Sequence, residues 1–114
     1  MIKALKKTRE FKKVYKNKKY YVSPFTVLYI MPNNREENRI GISISKKVGN
    51  SVVRHRLKRL YREVYRLREN ELEKGFDLVI VARKKAVELD YKKTWKDLNI
   101  LFKKSKILIC NKEE

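Results

Sequence analysis

Apolar residues recur in this chain with two different periods, and the switches between them mark out its elements. From Arg39 to Ser45 the alternation is strict: Ile40, Ile42 and Ile44 fall on one face and Gly41, Ser43 and Ser45 on the other, as in a half-buried strand. Phe25 to Met31 is rich in β-branched and aromatic types and reads as a second strand, broken by Pro32-Asn33-Asn34. The polar run Arg35-Glu36-Glu37-Asn38 then predicts an antiparallel hairpin between the two. A short strand at Tyr20 to Val22 precedes them. Phe76 to Ala82 is nearly continuously apolar, the pattern of a strand covered on both faces.

Elsewhere the period is helical. Thr8 is placed to cap a first helix reaching about Asn17, with Phe11, Val14 and Tyr15 inside and Lys12, Lys13 and Lys16 outside. Asn50 or Ser51 starts the longest helix, which continues through Glu71-Leu72 to a stop at Gly75. On a wheel of about 100° per residue its apolar stripe is Val53, Leu57, Leu60, Val64 and Leu67. Asp90 caps the last helix, where Tyr91, Trp95, Leu98 and Phe102 repeat at i, i+4, i+7 and i+11 to cover the sheet. The order α-β-β-β-α-β-α defines an α+β fold, a single domain over residues 1–114 with a central mixed four-stranded sheet, helices packed on it and one βαβ unit. At this length one core is expected, and no internal repeat or low-complexity linker interrupts it.

Charge changes the picture from architecture to partner. Lys and Arg number 31 against 13 acidic residues, a net charge of +18. Such self-repulsion destabilises a fold unless a polyanion neutralises it. The longest helix concentrates the cations: Arg54, His55, Lys58, Arg59, Arg62 and Arg66 oppose its apolar stripe, with Glu63 the one acid among them. A merely solvated face would mix signs. The loop Lys46-Lys47-Val48-Gly49-Asn50 leads into the helix N-terminus, where unpaired N–H groups and the positive dipole end favour phosphate. An anionic membrane fits less well, because the stripe lacks Trp and Phe and no run approaches the ~18 apolar residues of a spanning helix.

Catalytic signatures are missing. Phosphodiester hydrolysis by side chains calls for clustered carboxylates on divalent ions, or a His base with an oriented partner. The only aspartates are Asp77, Asp90 and Asp97, assigned to a strand edge, a cap and a helix surface, and the sole histidine, His55, lies between Arg54 and Arg56. The three glycines form no phosphate loop, and Cys110, the single cysteine, allows neither an internal disulfide nor a Cys-based metal site. One cysteine and no apolar leader behind Met1-Ile2-Lys3 place the chain in the cytoplasm. Binding features are richer: Phe11, Tyr15 and Tyr29 could converge above the small Gly41, Ser43 and Ser45 face as an aromatic groove for unpaired bases, or could be plain core.

The segment Ser45-Lys46-Lys47-Val48-Gly49-Asn50-Ser51-Val52-Val53-Arg54-His55-Arg56-Leu57-Lys58-Arg59-Leu60 resembles the signature of the bacterial ribonuclease P protein subunit. Leu5-Lys6-Lys7, Arg9-Glu10-Phe11, Val27-Leu28-Tyr29 and Val79 to Lys84 fit its other landmarks, so the resemblance covers nearly the whole chain. One departure is His55, where that signature commonly has Asn. The resemblance implies an endonuclease that removes the 5′ leader of precursor tRNA, with hydrolysis carried by an RNA subunit and the Mg²⁺ it mainly holds. By carry-over, Lys46, Lys47, Asn50, Arg54, His55, Arg56, Lys58, Arg59 and Arg62 would contact the RNA subunit, and Phe11, Tyr15, Tyr29 and Ser43 would line the leader groove. It further implies a left-handed βαβ crossover, against the general handedness rule, and no obligatory protein partner or metal ligand of the chain's own. Two other readings compete: a ribosomal or ribosome-assembly protein, which shares charge and size but needs no leader groove, and a protein-only nuclease using His55.

Overall fold

The computed structural model describes residues 2–109. Its elements are β1 (Lys3–Ala4), α1 (Thr8–Lys16), β2 (Tyr20–Val22), β3 (Thr26–Pro32), β4 (Arg39–Ser43), α2 (Ser51–Arg68), β5 (Phe76–Ala82) and α3 (Tyr91–Lys104), with short 3₁₀ turns at Glu69–Glu71 and Lys84–Glu88. The sheet has five strands in the order β1-β4-β5-β3-β2, one more than the alternation predicts, because β1 is two residues long and carries no periodic signal.

The expected β3–β4 hairpin does not form. β5 lies between them, parallel to β4 through Ile40↔Leu78 and Ile42↔Ile80, and antiparallel to β3 through Leu28↔Ile80 and Ile30↔Leu78. Burial favours this order: Leu78, Val79 and Ile80 are fully enclosed, and the middle of the sheet, with α2 and α3 on one side and α1 on the other, is where both faces of a strand are most fully covered. β4, α2 and β5 form the anticipated βαβ unit between adjacent parallel strands.

On one face, α2 and α3 pack over Leu28, Ile30, Ile40, Leu78 and Ile80. The buried side of α2 is Leu57, Tyr61, Val64, Tyr65 and Arg68, turned from the expected stripe, so that Leu67 is exposed while Val53 and Leu60 are half-buried. Two tyrosines shift it: each buries a large ring and keeps a partner for its hydroxyl, Thr26 Oγ1 at 2.8 Å from Tyr61 and Glu69 at 3.4 Å from Tyr65. Burial pushes both phenols well above their ordinary range. Each fully enclosed aliphatic, such as Leu57 or Leu98, contributes roughly 1.5–3 kcal/mol. The α-helix ends at Arg68 rather than running to Gly75, because Leu72 turns inward to bridge Leu108 and Glu73 N–H donates to Ile107 O.

Asp97, expected on the surface of α3, is buried and accepts from Ser23 Oγ at 2.7 Å. Tyr91, expected in the apolar stripe, is exposed. Asp90 caps α3 as anticipated, accepting from Lys93 N–H. Asn50 caps α2 through Val53 N–H, whereas α1 is capped at Lys7, not Thr8. There Glu10 Oε1 accepts from the Lys6 and Lys7 N–H groups. Cys110 lies outside the described residues.

α1 occupies the opposite face alone, burying its Val14 against Leu5 and Val79. A charge network anchors it. Arg39 of β4 reaches Asp77 with Nε at 2.9 Å and Nη2 at 2.8 Å, and Glu10 of α1 with Nη1 at 3.0 Å, while Asn33 Nδ2 donates to Asp77 at 2.9 Å. Asp77 is therefore a buried linchpin in the central strand and not an edge residue. Asp77→Ala leaves Arg39 short of its bidentate partner and should destabilise the protein by about 3 kcal/mol, measured by urea unfolding.

The two backbone amides, reinforced by Arg39, hold the Glu10 carboxyl at about 2 against an ordinary 4.5. A depressed folded-state value means that its stabilisation is complete above pH 4.5 and is lost as pH falls through about 2. Glu10→Gln should flatten the acid limb of a stability–pH curve over that window.

Candidate nucleic-acid interface

The face under α1 is built in rows across the strands. One row runs Tyr20, Tyr29, Val79, Gly41 in register, and the next runs Val22, Val27, Val81, Ser43. α1 covers the first row at its Gly41 end. A Cβ at Gly41 would lie 2.6 Å from Phe11 Cζ, so glycine is what lets the ring lie flat on β4. Phe11 thus serves packing first, while remaining half-buried at the groove wall. Tyr15 meets Tyr29 edge-on at 4.8 Å, and Tyr20, exposed at the sheet edge, lies 5.5 Å from Tyr29.

The second row has no helix over it. Val27, Val81 and Ser43 are half-buried and Val22 is exposed, which leaves an apolar strip flanked by aromatic rings. Of the anticipated groove residues, Phe11, Tyr15, Tyr29 and Ser43 do converge on this face. Ser45 lies beyond the end of β4. Tyr20 was not anticipated, although its alternation with Tyr21 marks it for one face or the other; only the Tyr20↔Tyr29 register shows which.

Ser43 also opens onto a second feature. A cleft of about 440 Å³ is lined by Ser43, Ile44, Ser51, Arg54, His55 and Lys58, joining the strip to the basic helix. Across the crest of α2, His55 also borders a groove of about 560 Å³ with Arg56, Arg59 and Tyr91. The cations thus divide between two flanks. Arg54 and Lys58 face the sheet, Arg59 faces α3, and Arg62 is exposed. Lys46 and Lys47 are exposed in the turn before α2.

Two anticipated contacts have structural duties. Asn50 Oδ1 is used as the helix cap. The Arg56 guanidinium donates to Leu89 O at 2.8 Å and Val87 O at 2.9 Å, fastening α2 to the turn that precedes α3.

The aspartates are all spoken for: Asp77 by Arg39 and Asn33, Asp90 by the α3 cap, Asp97 by Ser23. Among the described residues no three His, Cys, Asp or Glu side chains gather into a metal-binding group. No helix among the described residues is long and apolar enough to cross a membrane.

The fold and surface define a small α+β domain with one basic helix set beside an open apolar strip. The chain belongs to the ribonuclease P protein family, whose profile matches residues 2–106. It is 46% identical over 107 residues to the ribonuclease P protein component of Natranaerobius thermophilus, covering 94% of this chain and 93% of the relative. Identity to that of Caldanaerobacter subterraneus is 48% over 101 residues, covering 89% and 87%. Among solved structures, the Staphylococcus aureus RNase P protein superposes with a TM-score of 0.87 at 27% identity, over 96% of this chain and all (100%) of that one. The Thermotoga maritima RNase P protein gives 0.81 at 29%, covering 89% and 96%.

Gly41→Val should drive Phe11 off β4, lowering stability by roughly 1–3 kcal/mol, as overpacking generally does. Thermal unfolding followed by circular dichroism measures the loss.

Proposed function

We propose that this chain is the protein component of a ribonucleoprotein ribonuclease P, in which it binds a catalytic RNA subunit through α2 and the 5′ leader of precursor tRNA along the uncovered strip beside α1. The observation that carries this reading is the junction at Ser43, where an uncovered row of Val22, Val27 and Val81 runs into the cleft of Arg54 and Lys58. A single strand laid on the row has rings of Tyr29 and Tyr20 to stack on, and at its far end it comes alongside the RNA subunit that Arg54 and Lys58 hold.

In this reading Lys46, Lys47, Arg54, His55, Lys58, Arg59 and Arg62 meet phosphates of the RNA subunit, while Asn50 and Arg56 shape the surface that presents them. Hydrolysis falls to the RNA and its Mg²⁺. The protein lowers the electrostatic cost of holding two polyanions together and positions the leader. The alternative of a ribosomal or ribosome-assembly protein has no use for an open aromatic strip beside its basic helix, and the family membership does not favour it. A protein-only nuclease would need a partner orienting His55, whose neighbours in both clefts are arginines, a lysine and serines more than carboxylates.

Added to a cognate catalytic RNA at low Mg²⁺ and near-physiological salt, the protein should raise precursor-tRNA cleavage; no stimulation defeats the reading. Arg54→Ala should weaken RNA-subunit binding and flatten its log–log salt dependence by roughly one unit. Tyr29→Ala should weaken leader-bearing substrate more than mature tRNA, and equal losses on both would remove Tyr29 from the leader site.

A further inference from the structure

The α3 flank of the basic helix carries features that neither the leader strip nor a generic phosphate-binding ridge requires. Tyr91 opens α3 with 44% of its surface exposed, and Val52 of α2 is 75% exposed across the groove. Trp95, one turn on, is half-buried, with its ring 6.2 Å from that of Tyr91 and the Arg68 guanidinium 4.8 Å from its centre. Arg68 itself is buried and tied to Glu71 and Asn99, so Trp95 rests on a fixed support. Arg56, bonded to the carbonyls of Val87 and Leu89, holds the 84–88 turn against α2 and sets the width of the groove before any ligand arrives. Arg59 lines this groove with Tyr91, and its one lining carboxylate, Glu63, is already paired with Arg66 at 2.8 Å; on the other side of Tyr91, Lys92 and Lys96 border a neighbouring hollow floored by Trp95.

A rigid aromatic floor with an excess of cations at its rim matches an unpaired base with its flanking phosphates. A second copy of this chain would bring cations against cations, so charge complementarity favours a polyanion. We infer that the α2–α3 groove is a second base-stacking site, in which Tyr91 receives an unpaired nucleotide of the RNA subunit while Arg59 and Lys92 take the adjacent phosphates. This rests on the proposed function and deepens it: α2 is gripped from both flanks, the leader being on the sheet side and RNA-subunit nucleotides on the α3 side.

Trp95 is the only tryptophan and its ring stands 6.2 Å from that of Tyr91, so its fluorescence reports on what Tyr91 receives. With an RNA-subunit transcript from a relative as probe, selectively excited Trp95 emission should change on titration, and a single-stranded leader oligonucleotide should leave it unchanged. Tyr91→Ala and Tyr91→Leu should each weaken transcript binding roughly ten- to hundredfold, the range expected for one lost base stack. Tyr91→Phe should restore it, the salt slope should stay at the wild-type value, and the preference for leader-bearing over mature tRNA should not move. Circular dichroism separates a folding defect from a binding defect, since the exposed Tyr91 ring makes little contact with the core. Wild-type affinity in Tyr91→Ala, full recovery in Tyr91→Leu, or a loss of self-association with RNA affinity intact would each overturn the inference while the proposed function stands. Failure of the wild-type protein to bind the transcript at all would remove both.

Discussion

The central position of β5 is the constraint from which the remaining architecture follows. Leu78, Val79 and Ile80 bury side chains on both faces of the sheet, between α2 and α3 on one side and α1 on the other. Once β5 stands between β3 and β4, the two strands that are consecutive in the chain cannot pair, and the connection out of β4 must return to a parallel neighbour through a helix. That helix is α2. Its placement at the rim of the sheet, one flank toward Ser43 and the other toward α3, is a consequence of topology before it is a feature of RNA recognition.

The same strand governs the other face. Asp77 lies in β5 and needs a cation once it is buried; Arg39 on β4 supplies one and has a third donor left for Glu10. A buried ion pair contributes little net stability over an apolar replacement, but it fixes geometry, because leaving either member unpaired is costly. Here it fixes where α1 sits. With Glu10 held by Arg39 and Phe11 resting on Gly41, α1 covers one cross-strand row and stops short of the next. The open strip is therefore the product of a short helix pinned at one end of the sheet.

Which parts of this were legible in the sequence follows from the range of the interactions involved. Helix caps at Asn50 and Asp90, the strand at Phe76–Ala82 and the cationic ridge of α2 depend on residues within a turn or two of each other, and periodicity shows them. Strand order does not have that character. Phe25 to Ser45 has every local mark of a hairpin, and what prevents it is a strand more than thirty residues away competing for the same edges. The shifted stripe of α2 has a similar origin: counting only aliphatics overlooks Tyr61 and Tyr65, whose burial depends on Thr26 and Glu69 being in reach of their hydroxyls.

The site residues divide along the same line. Side-chain type and spacing put Arg54, Lys58 and Arg59 opposite the aliphatic stripe, and Lys58 and Arg59 are exposed while Arg54 is half-buried, since a helix determines faces locally. Spacing could not distinguish Arg56 from them, because the carbonyls that occupy its guanidinium come from a turn about thirty residues downstream. Nor could it reveal that His55 borders two clefts and not one. A ridge with two flanks can hold two RNA elements at a distance fixed by the width of a helix. That is a geometric service a highly charged but unstructured polycation could not provide: charge alone binds a polyanion, whereas the sheet and its helices fix how far apart the two cationic flanks stand.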